Sequence, residues 1–299
     1  MLESRRKWIT AGVILCLVII AGASIYLFRA ARGHASIGFD GQAAYQHIQT
    51  QLSFGPRLPG SQAQQRFLRW AAAEFEQCGW SVSTQQGTQA GHALINMIAK
   101  KGSGDRLILL TAHYDSRLVA DKDPKYPAVI APVAGANDGA SGAAVLLELA
   151  RVLEIPADTT VWIVLFDVED NGRIPGWDWI LGSTYFVDHL DRIPQAVVNL
   201  DMVGDADLRI LPEINSTGWL REEIWTTAAK MGYGDVFTND DGKSILDDHI
   251  PFLKAGIPAV DVIDIEYPYH HTRSDTLEHV SAESLAVVGR VIEGWLEEY

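Results

Sequence analysis

Three apolar runs in this chain each end in acidic or imidazole side chains. Residues 107–112 lead into His113-Tyr114-Asp115-Ser116, residues 161–166 into Asp167-Val168-Glu169-Asp170, and residues 196–200 into Asp201. Runs this uninterrupted suit strands buried on both faces, as in a parallel sheet covered by helices. The strands are expected over 107–112, 161–168 and 196–203, with others at 80–84, 93–99 and 259–265. Between and around them, residues 41–52, 62–78, 140–153, 182–190, 219–231 and 281–298 carry helical patterns. In 62–78, for example, Phe67, Leu68, Trp70, Ala71 and Phe75 share helical spacing and Gly79 stops the helix. This alternation predicts an α/β fold with a mostly parallel central sheet flanked by helices. Ligands of such open sheets bind beyond the carboxyl ends of the strands, where side chains from separate strands converge.

Composition narrows the class further. The chain has 299 residues, 47% of them hydrophobic, and a formal net charge of −14. A mean hydropathy of +0.03 excludes both a disordered chain and a multispanning membrane protein. The apolar content is uneven: residues 8–28, WITAGVILCLVIIAGASIYLF, contain no charged side chain, and about 20 such residues cross a bilayer as a helix. Arg5, Arg6 and Lys7 precede the run, and Arg29 and Arg32 follow it. No small-x-small cleavage site with a polar end follows the run, which favours an uncleaved anchor over a signal peptide. The compact basic cluster in front places the N-terminus in the cytoplasm and the rest of the chain outside it. The expected organisation is a single-pass anchor (1–32), a linker (33–40) and one large domain (41–299). Residues 1–32 carry a net charge of +4, which leaves −18 on the remainder. Such a surface argues against nucleic-acid binding, which requires basic patches. Cys16 lies in the apolar run, so Cys78 stands alone and the domain forms no internal disulfide.

Two further segments carry polar residues in turn-rich contexts: GANDGASG (135–142), around Asp138, and YHHTRSDTLEHV (269–280), with His271. Each candidate alone has an ordinary structural explanation. A histidine after a strand is usually hydrogen-bonded into the fold, an acidic pair is usually a solvated loop, and Asp138 suits a turn or helix cap. Together, His113, Asp138, Glu169, Asp170, Asp201 and His271 make a different case. Carboxylates gathered at close range stay ionised only when cations compensate them, and carboxylates with imidazoles are common zinc ligands. The conjunction points to a metal site.

In these motifs the sequence resembles the zinc peptidase family M28, which includes aminopeptidases and the type II glutaminyl cyclases. LTAHYDS (110–116), GANDGASG, LFDVED (165–170), NLDMVGD (199–205) and HHTRSDT (270–276) occur in the family order, and the resemblance covers residues 40–299. It implies that Asp138, Asp170 and His271 bind a principal Zn²⁺. In two-zinc members His113 and Asp201 would bind a second zinc bridged by Asp138. Glu169 would be the general acid/base, and Asp115 would orient His113 from behind. The family commonly has Glu where Asp170 stands.

Within the family, three features resemble the cyclases, and more closely the bacterial ones, rather than the aminopeptidases. NGRIPGWDWIL lengthens the stretch between Asp170 and Gly182-Ser183. LDDHIPFLKAGIP (246–258) resembles the cyclase segment and supplies Asp247, matching a catalytic aspartate that hydrogen-bonds the counterpart of Asp201. A Glu-Asp pair replaces Glu-Glu at 169–170. The resemblance also implies a pocket built from Trp177, Trp179, Ile245, Tyr267 and His270. His270 departs from the Trp of animal cyclases, Trp177 and Trp179 suit packing equally well, Asp247 suits a helix N-cap, and His249 reads as structural. The expectation is a monomeric, membrane-anchored, extracytoplasmic glutaminyl-peptide cyclotransferase with one zinc, acting on peptides or proteins with N-terminal glutamine. A two-zinc aminopeptidase is the alternative, and a non-catalytic binding ectodomain a third.

Overall fold

Six strands form one sheet: β1 Ser81–Gln89, β2 His92–Gly102, β3 Arg106–His113, β4 Thr159–Phe166, β5 Ala196–Asp201 and β6 Ala259–Ile263. The computed structural model describes residues 38–299, and Phe39–Tyr299 make one compact unit. The apolar run 8–28 lies outside the described residues. Among the described residues no helix is long and apolar enough to cross a membrane.

The strand order is β1-β2-β4-β3-β5-β6. The four strands β4, β3, β5 and β6 are parallel, as the apolar runs require. The sheet as a whole is mixed, because β1 pairs antiparallel with β2 and β2 antiparallel with β4. Chain connectivity explains the difference from a mostly parallel expectation. Ala90 and Gly91 join β1 to β2 with φ of 48° and 86°, a two-residue turn that can link only antiparallel neighbours. Three residues then join β2 to β3, too few for a crossover helix. The chain leaves β3 for β4 on one side and crosses to β5 on the other. The strand order therefore reverses at β3, and a crevice opens at its carboxyl end.

Helices cover both faces. They are α1 Gly41–Ser53, α2 Gln62–Gln77, α3 Ala140–Val152, α4 Leu181–Asp188, α5 Gly218–Lys230, α6 His249–Lys254 and α7 Ala282–Glu298. Side chains of Asp40, Ser61 and Ser281 accept hydrogen bonds from the first-turn N–H groups of α1, α2 and α7, satisfying donors that helix starts leave open. Alternation along β3 sends Ile108, Leu110 and Ala112 into the larger core, with α1, α2, α3, α5 and α7. It sends Leu107 and Leu109 to the opposite face, against Phe186 of α4 and Phe252 of α6. The strands end where the backbone turns left-handed: Val168 has φ 57° and Met202 φ 47°. This is why β4 and β5 stop short of the apolar residues that follow them.

The helix α3 lies so close to the sheet that a Cβ on Gly142 would stand 2.2 Å from the Leu200 carbonyl oxygen. A Cβ on Gly218, at the start of α5, would meet no heavy atom within 4 Å. Gly142→Ala is expected to lower unfolding free energy by about 1–3 kcal/mol through overpacking. Gly218→Ala should leave it unchanged or raise it by up to about 1 kcal/mol. Urea denaturation of both variants checks this; equal midpoints would show that Gly142 does not set the helix–sheet spacing.

Candidate metal centre

The crevice at the end of β3 is lined by groups from every parallel strand exit. His113, the last residue of β3, is buried. Its Nδ1 is 3.4 Å from Asp115 Oδ1. The carboxylate can only accept, so Nδ1 carries a proton, and Nε2 faces the crevice, where a cation would find its lone pair. Nε2 lies 3.2 Å from both Asp138 Oδ1 and Asp201 Oδ1. Asp115 also fixes the exit of β4: its Oδ1 accepts the Glu169 N–H at 3.0 Å, and its Oδ2 accepts the Asp170 N–H at 3.4 Å.

Asp138 is held by its loop. Asp275 Oδ1 accepts the Asn137 N–H at 2.8 Å, and Oδ2 accepts the Asp138 N–H at 3.2 Å. Asn137 Oδ1 accepts from Gly204 N–H at 2.7 Å, and Ser141 Oγ accepts from Val203 N–H at 3.0 Å. These bonds bolt the 135–142 segment to the exit of β5. Gly139, at φ 89°, passes so near β3 that a Cβ would stand 2.3 Å from the Asp115 carbonyl oxygen. Arg57, fully buried, clamps the start of the same loop through the carbonyls of Tyr114, Ala134 and Gly135.

On the far side, His271 Nε2 lies 2.8 Å from Asp170 Oδ1 and 3.8 Å from Asp138 Oδ2. His270 Nε2 is likewise 3.8 Å from Asp138 Oδ2. Two sets of potential ligand atoms therefore share Asp138: His113 with Asp201, and His270 with His271. Zinc bonds of about 2.0–2.2 Å place tetrahedral ligand atoms roughly 3.3–3.6 Å apart, and separations of 3.2 and 3.8 Å bracket that range. Asp138 Oδ2 is buried without a hydrogen-bond partner, as expected of an atom shaped for a cation. The donor set fits zinc.

Electrostatics agree. Burial, then the repulsion of neighbouring carboxylates, pushes Glu169 and Asp170 well above the usual carboxylate range and Asp201 to about 8. Glu169 also feels Asp247. Despite its burial, His113 is raised well above its ordinary range by Asp201, Asp115 and Asp138. Without a cation its Nε2 therefore also carries a proton and donates to Asp138, which, despite its own burial, goes the other way from its neighbours, with His270 and His271 also near. Burial lowers His270 and His271 to about 3, leaving neutral imidazoles suited to metal binding.

The residues expected from sequence divide in two. Glu169, Asp170, Asp138, Asp201, Asp247 and His271 line one cavity of about 260 Å³, and Trp179, Ile245 and His270 complete part of its wall. Trp179 stacks on His271 at a centroid distance of 5.8 Å. The structure places two others elsewhere. Trp177 stacks on His92, beside the β1–β2 turn, at 3.6 Å, which packs the 171–180 insertion onto the hairpin. Tyr267 is buried beneath the site, where its hydroxyl donates to Asp275 Oδ1 at 2.9 Å. Asp247 does not cap α6, whose preceding residue is Asp248. The expected Asp201–Asp247 hydrogen bond is not formed. Asp247 Oδ1 accepts from Asn199 Nδ2 at 3.3 Å and from the Asp248 N–H, and its Oδ2 has no partner.

Sequence reasoning missed Arg117, Asp121, Lys122 and Arg173 on the cavity wall. Arg117 is buried, donates to the Asp170 carbonyl at 2.6 Å and reaches Asp170 Oδ1 at 3.4 Å. Its position two residues after Asp115 was the only available signal.

Comparison with known proteins places this geometry. The model of peptidase family M28 matches residues 94–296. An aminopeptidase of Bacillus subtilis, YwaD, is 32% identical over 203 residues, 62% of this chain. The match spans only 39% of that relative's length. The crystal structure of Porphyromonas gingivalis glutaminyl cyclase superposes with a TM-score of 0.82 at 32% identity, covering 87% of this chain and 98% of that one. A Zn-dependent exopeptidase from Parabacteroides distasonis gives 0.80 at 28% identity, covering 88% and 99%.

Behind the candidate metal centre, Asp167 accepts hydrogen bonds from Gln64 Nε2 and the Ile95 N–H at 2.8 Å each, while its Oδ1 has no partner. Burial and the charge of Asp115 raise it to about 8. The folded protein therefore holds this proton to higher pH than the unfolded chain. The stabilisation is complete below about pH 4, is lost as pH rises to 8 at up to about 1.4 kcal/mol per unit, and changes no further above. Asp167→Asn mimics the neutral acid. Relative to that variant, the unfolding free energy of the parent protein should fall between pH 5 and 8. A pH-independent difference in denaturant titrations would show that Asp167 stays ionised.

Proposed function

The chain belongs to peptidase family M28, and on that premise we propose that it is a zinc-dependent glutaminyl-peptide cyclotransferase. It would convert the N-terminal glutamine of a peptide or protein to pyroglutamate and release ammonia. One observation carries the reading: both segments that resemble the cyclases enter the cavity, the 171–180 insertion through Trp179 and the 246–258 segment through Asp247. The likeness to a solved glutaminyl cyclase over nearly its whole length supports it.

Asp138, Asp170 and His271 would hold the zinc. Bound there, the metal would polarise the γ-carboxamide carbonyl of the substrate as a Lewis acid. Glu169 does the proton work. Its raised affinity for protons suits a group that takes one from the attacking α-amine and delivers it to the departing nitrogen. One C–N bond forms, from the α-nitrogen to the side-chain carbonyl carbon. One C–N bond breaks, and ammonia leaves with the transferred proton. Asp201 and Asp247 line the same cavity as Glu169, and Asp247 Oδ2, buried and without a partner, would accept a hydrogen bond from the α-amine or the leaving amide once substrate fills the cavity. Because the nucleophile is part of the substrate, orientation supplies much of the rate, and Trp179, Ile245 and His270 serve as walls that hold the side chain folded back.

A second reading has its own observation: His113, Asp138 and Asp201 already form a compact ligand set, which suits a two-zinc aminopeptidase. We further propose that residues 8–28 anchor a monomer in the membrane with the enzyme domain outside the cytoplasm.

Purified protein offered a glutamine-initiated peptide is expected to release ammonia, with the peptide losing the mass of one ammonia. Release of a free amino acid from an aminoacyl anilide instead would sink the cyclase reading. Glu169→Gln should retain zinc and lose turnover by about 100-fold or more; an active variant would show that another group moves the proton. Metal analysis is expected to give one zinc per chain, abolished in Asp138→Ala. Two zincs, falling to one in His113→Ala, would favour the aminopeptidase.

A further inference from the structure

The loop 244–248 brings Ile245 and Asp247 to the cavity, and it stands on a buried polar stack that the reaction above leaves unused. His249, the first residue of α6, is completely buried. Its Nε2 lies 3.1 Å from Glu213 Oε2, and its Nδ1 faces Asp261 Oδ2 at 3.5 Å, an approach in which neither atom is hydrogen-bonded. Glu213 cannot donate as a carboxylate, so Nε2–H donates to it.

Two arms run from this stack to the pocket, one hydrogen-bonded to the imidazole through Glu213 and one starting at Asp261, which packs against the imidazole and is tied to Glu213 by Ser216. Along the first, Glu213 Oε1 accepts the backbone N–H of Ile245 at 3.1 Å and Asn215 Nδ2 at 2.7 Å, and Asn215 Nδ2 also donates to Ser244 Oγ at 2.8 Å. Along the second, Asp261 Oδ1 accepts from Asn199 Nδ2 at 3.0 Å, and the same amide donates to Asp247 Oδ1 at 3.3 Å. Asn199 is itself oriented by Thr111 Oγ1, which donates to its Oδ1 at 2.8 Å. Ser216 ties the arms together. Its Oγ donates to Glu213 Oε2 at 2.9 Å and accepts the Asp261 N–H at 3.0 Å.

A buried imidazole between two buried carboxylates is an expensive way to fill space, since apolar residues of similar volume often give equal or greater stability. What an apolar residue cannot do is fix direction. Here the direction fixed is that of a loop backbone and of one carboxylate, both in the pocket.

We propose that His249 is a positioning residue which, with Glu213 and Asp261, sets Ile245 and Asp247 at the substrate and touches no substrate itself. This rests on the reading of Asp247 as a group that meets the substrate.

The test is a double-variant cycle on the full-length, zinc-loaded protein, with His249→Gln, Asp247→Asn and the pair. Glu213→Gln serves as a second route to the same break should His249→Gln fold poorly. His249→Gln is expected to lower kcat by about 10- to 100-fold, the scale of losses from small misplacements of reacting groups. KM should stay within about threefold and zinc content should not change. The double variant should be no slower than Asp247→Asn alone, because both substitutions remove one function. A purely structural role gives losses that multiply, and that result overturns the proposal, as does an Asp247→Asn variant of undiminished activity. Hydrogen exchange provides a readout free of any substrate: in His249→Gln the Ile245 amide should exchange at least about tenfold faster while β3 and β5 amides do not change. Unchanged Ile245 exchange overturns the proposal even if turnover falls. Should the parent protein cleave aminoacyl anilides rather than cyclise glutamine, the cyclase reading fails, and the same cycle run on the anilide decides the role of His249.

Discussion

Carboxylates from the exits of β4 and β5 and from the loops around Asp121, Asp138 and Asp247 line one cavity, and their mutual repulsion sets the terms for everything around them. Water cannot screen them there, so charge must be removed or compensated. Without a bound cation, protons do part of this work, which is why Glu169, Asp170 and Asp201 are pushed upward. The protein's own buried cations do not finish it. Arg57 spends its guanidinium on the carbonyls of Tyr114, Ala134 and Gly135. Arg117 spends most of its own on Asp121 and the carbonyls of Asp170 and Gly172. Both fix loops, and the deficit at Asp138 Oδ2 is left open. A divalent ion is the economical answer, since it compensates several carboxylates at a single point.

Such a cluster persists only on a frame that cannot relax. Four non-glycine residues around it, Val168, Ile180, Met202 and His271, have positive φ, a costly conformation and an outlier for a β-branched residue such as Val168. The surroundings over-determine each turn. Asp115 ties the exits of β3 and β4 together, Asp275 holds the backbone of 137–138, and Asn137 reaches across to Met202 and Gly204. The strain sits next to Glu169, Asp201 and in His271 itself, so the frame and the proposed chemistry are parts of one device.

This division explains what the sequence makes legible. Buried strands announce themselves because both faces are apolar, and the acids that end them stand out against that background. The edge strand β1 is mostly polar and exposed along its length, so only a stub of it is visible beforehand. Its antiparallel pairing follows from a two-residue turn whose left-handed geometry Ala90 does not advertise. Trp177 and Trp179 look equivalent in sequence, and only the path of the insertion separates the residue that packs on His92 from the one that reaches His271. The Glu213–His249–Asp261 stack joins a loop, a six-residue helix and a strand, and no local pattern could have revealed it.

The shorter acid at position 170 shows how far the frame, rather than the side chain, governs reach. Aspartate carries its carboxylate one methylene closer to the backbone than glutamate, so the main chain must come nearer the metal position. Here Arg117 holds the Asp170 carbonyl, Asp115 holds its N–H, and Asn171 Oδ1 accepts the Leu118 N–H at 2.9 Å. Three bonds thus draw the 170–171 backbone toward the segment after β3. The result is an Asp170 Oδ1 within 2.8 Å of His271 Nε2, so the carboxylate reaches the second imidazole without the extra methylene. Residue 170 and Arg117 therefore form one unit: the guanidinium that holds the Asp170 carbonyl also reaches its carboxylate.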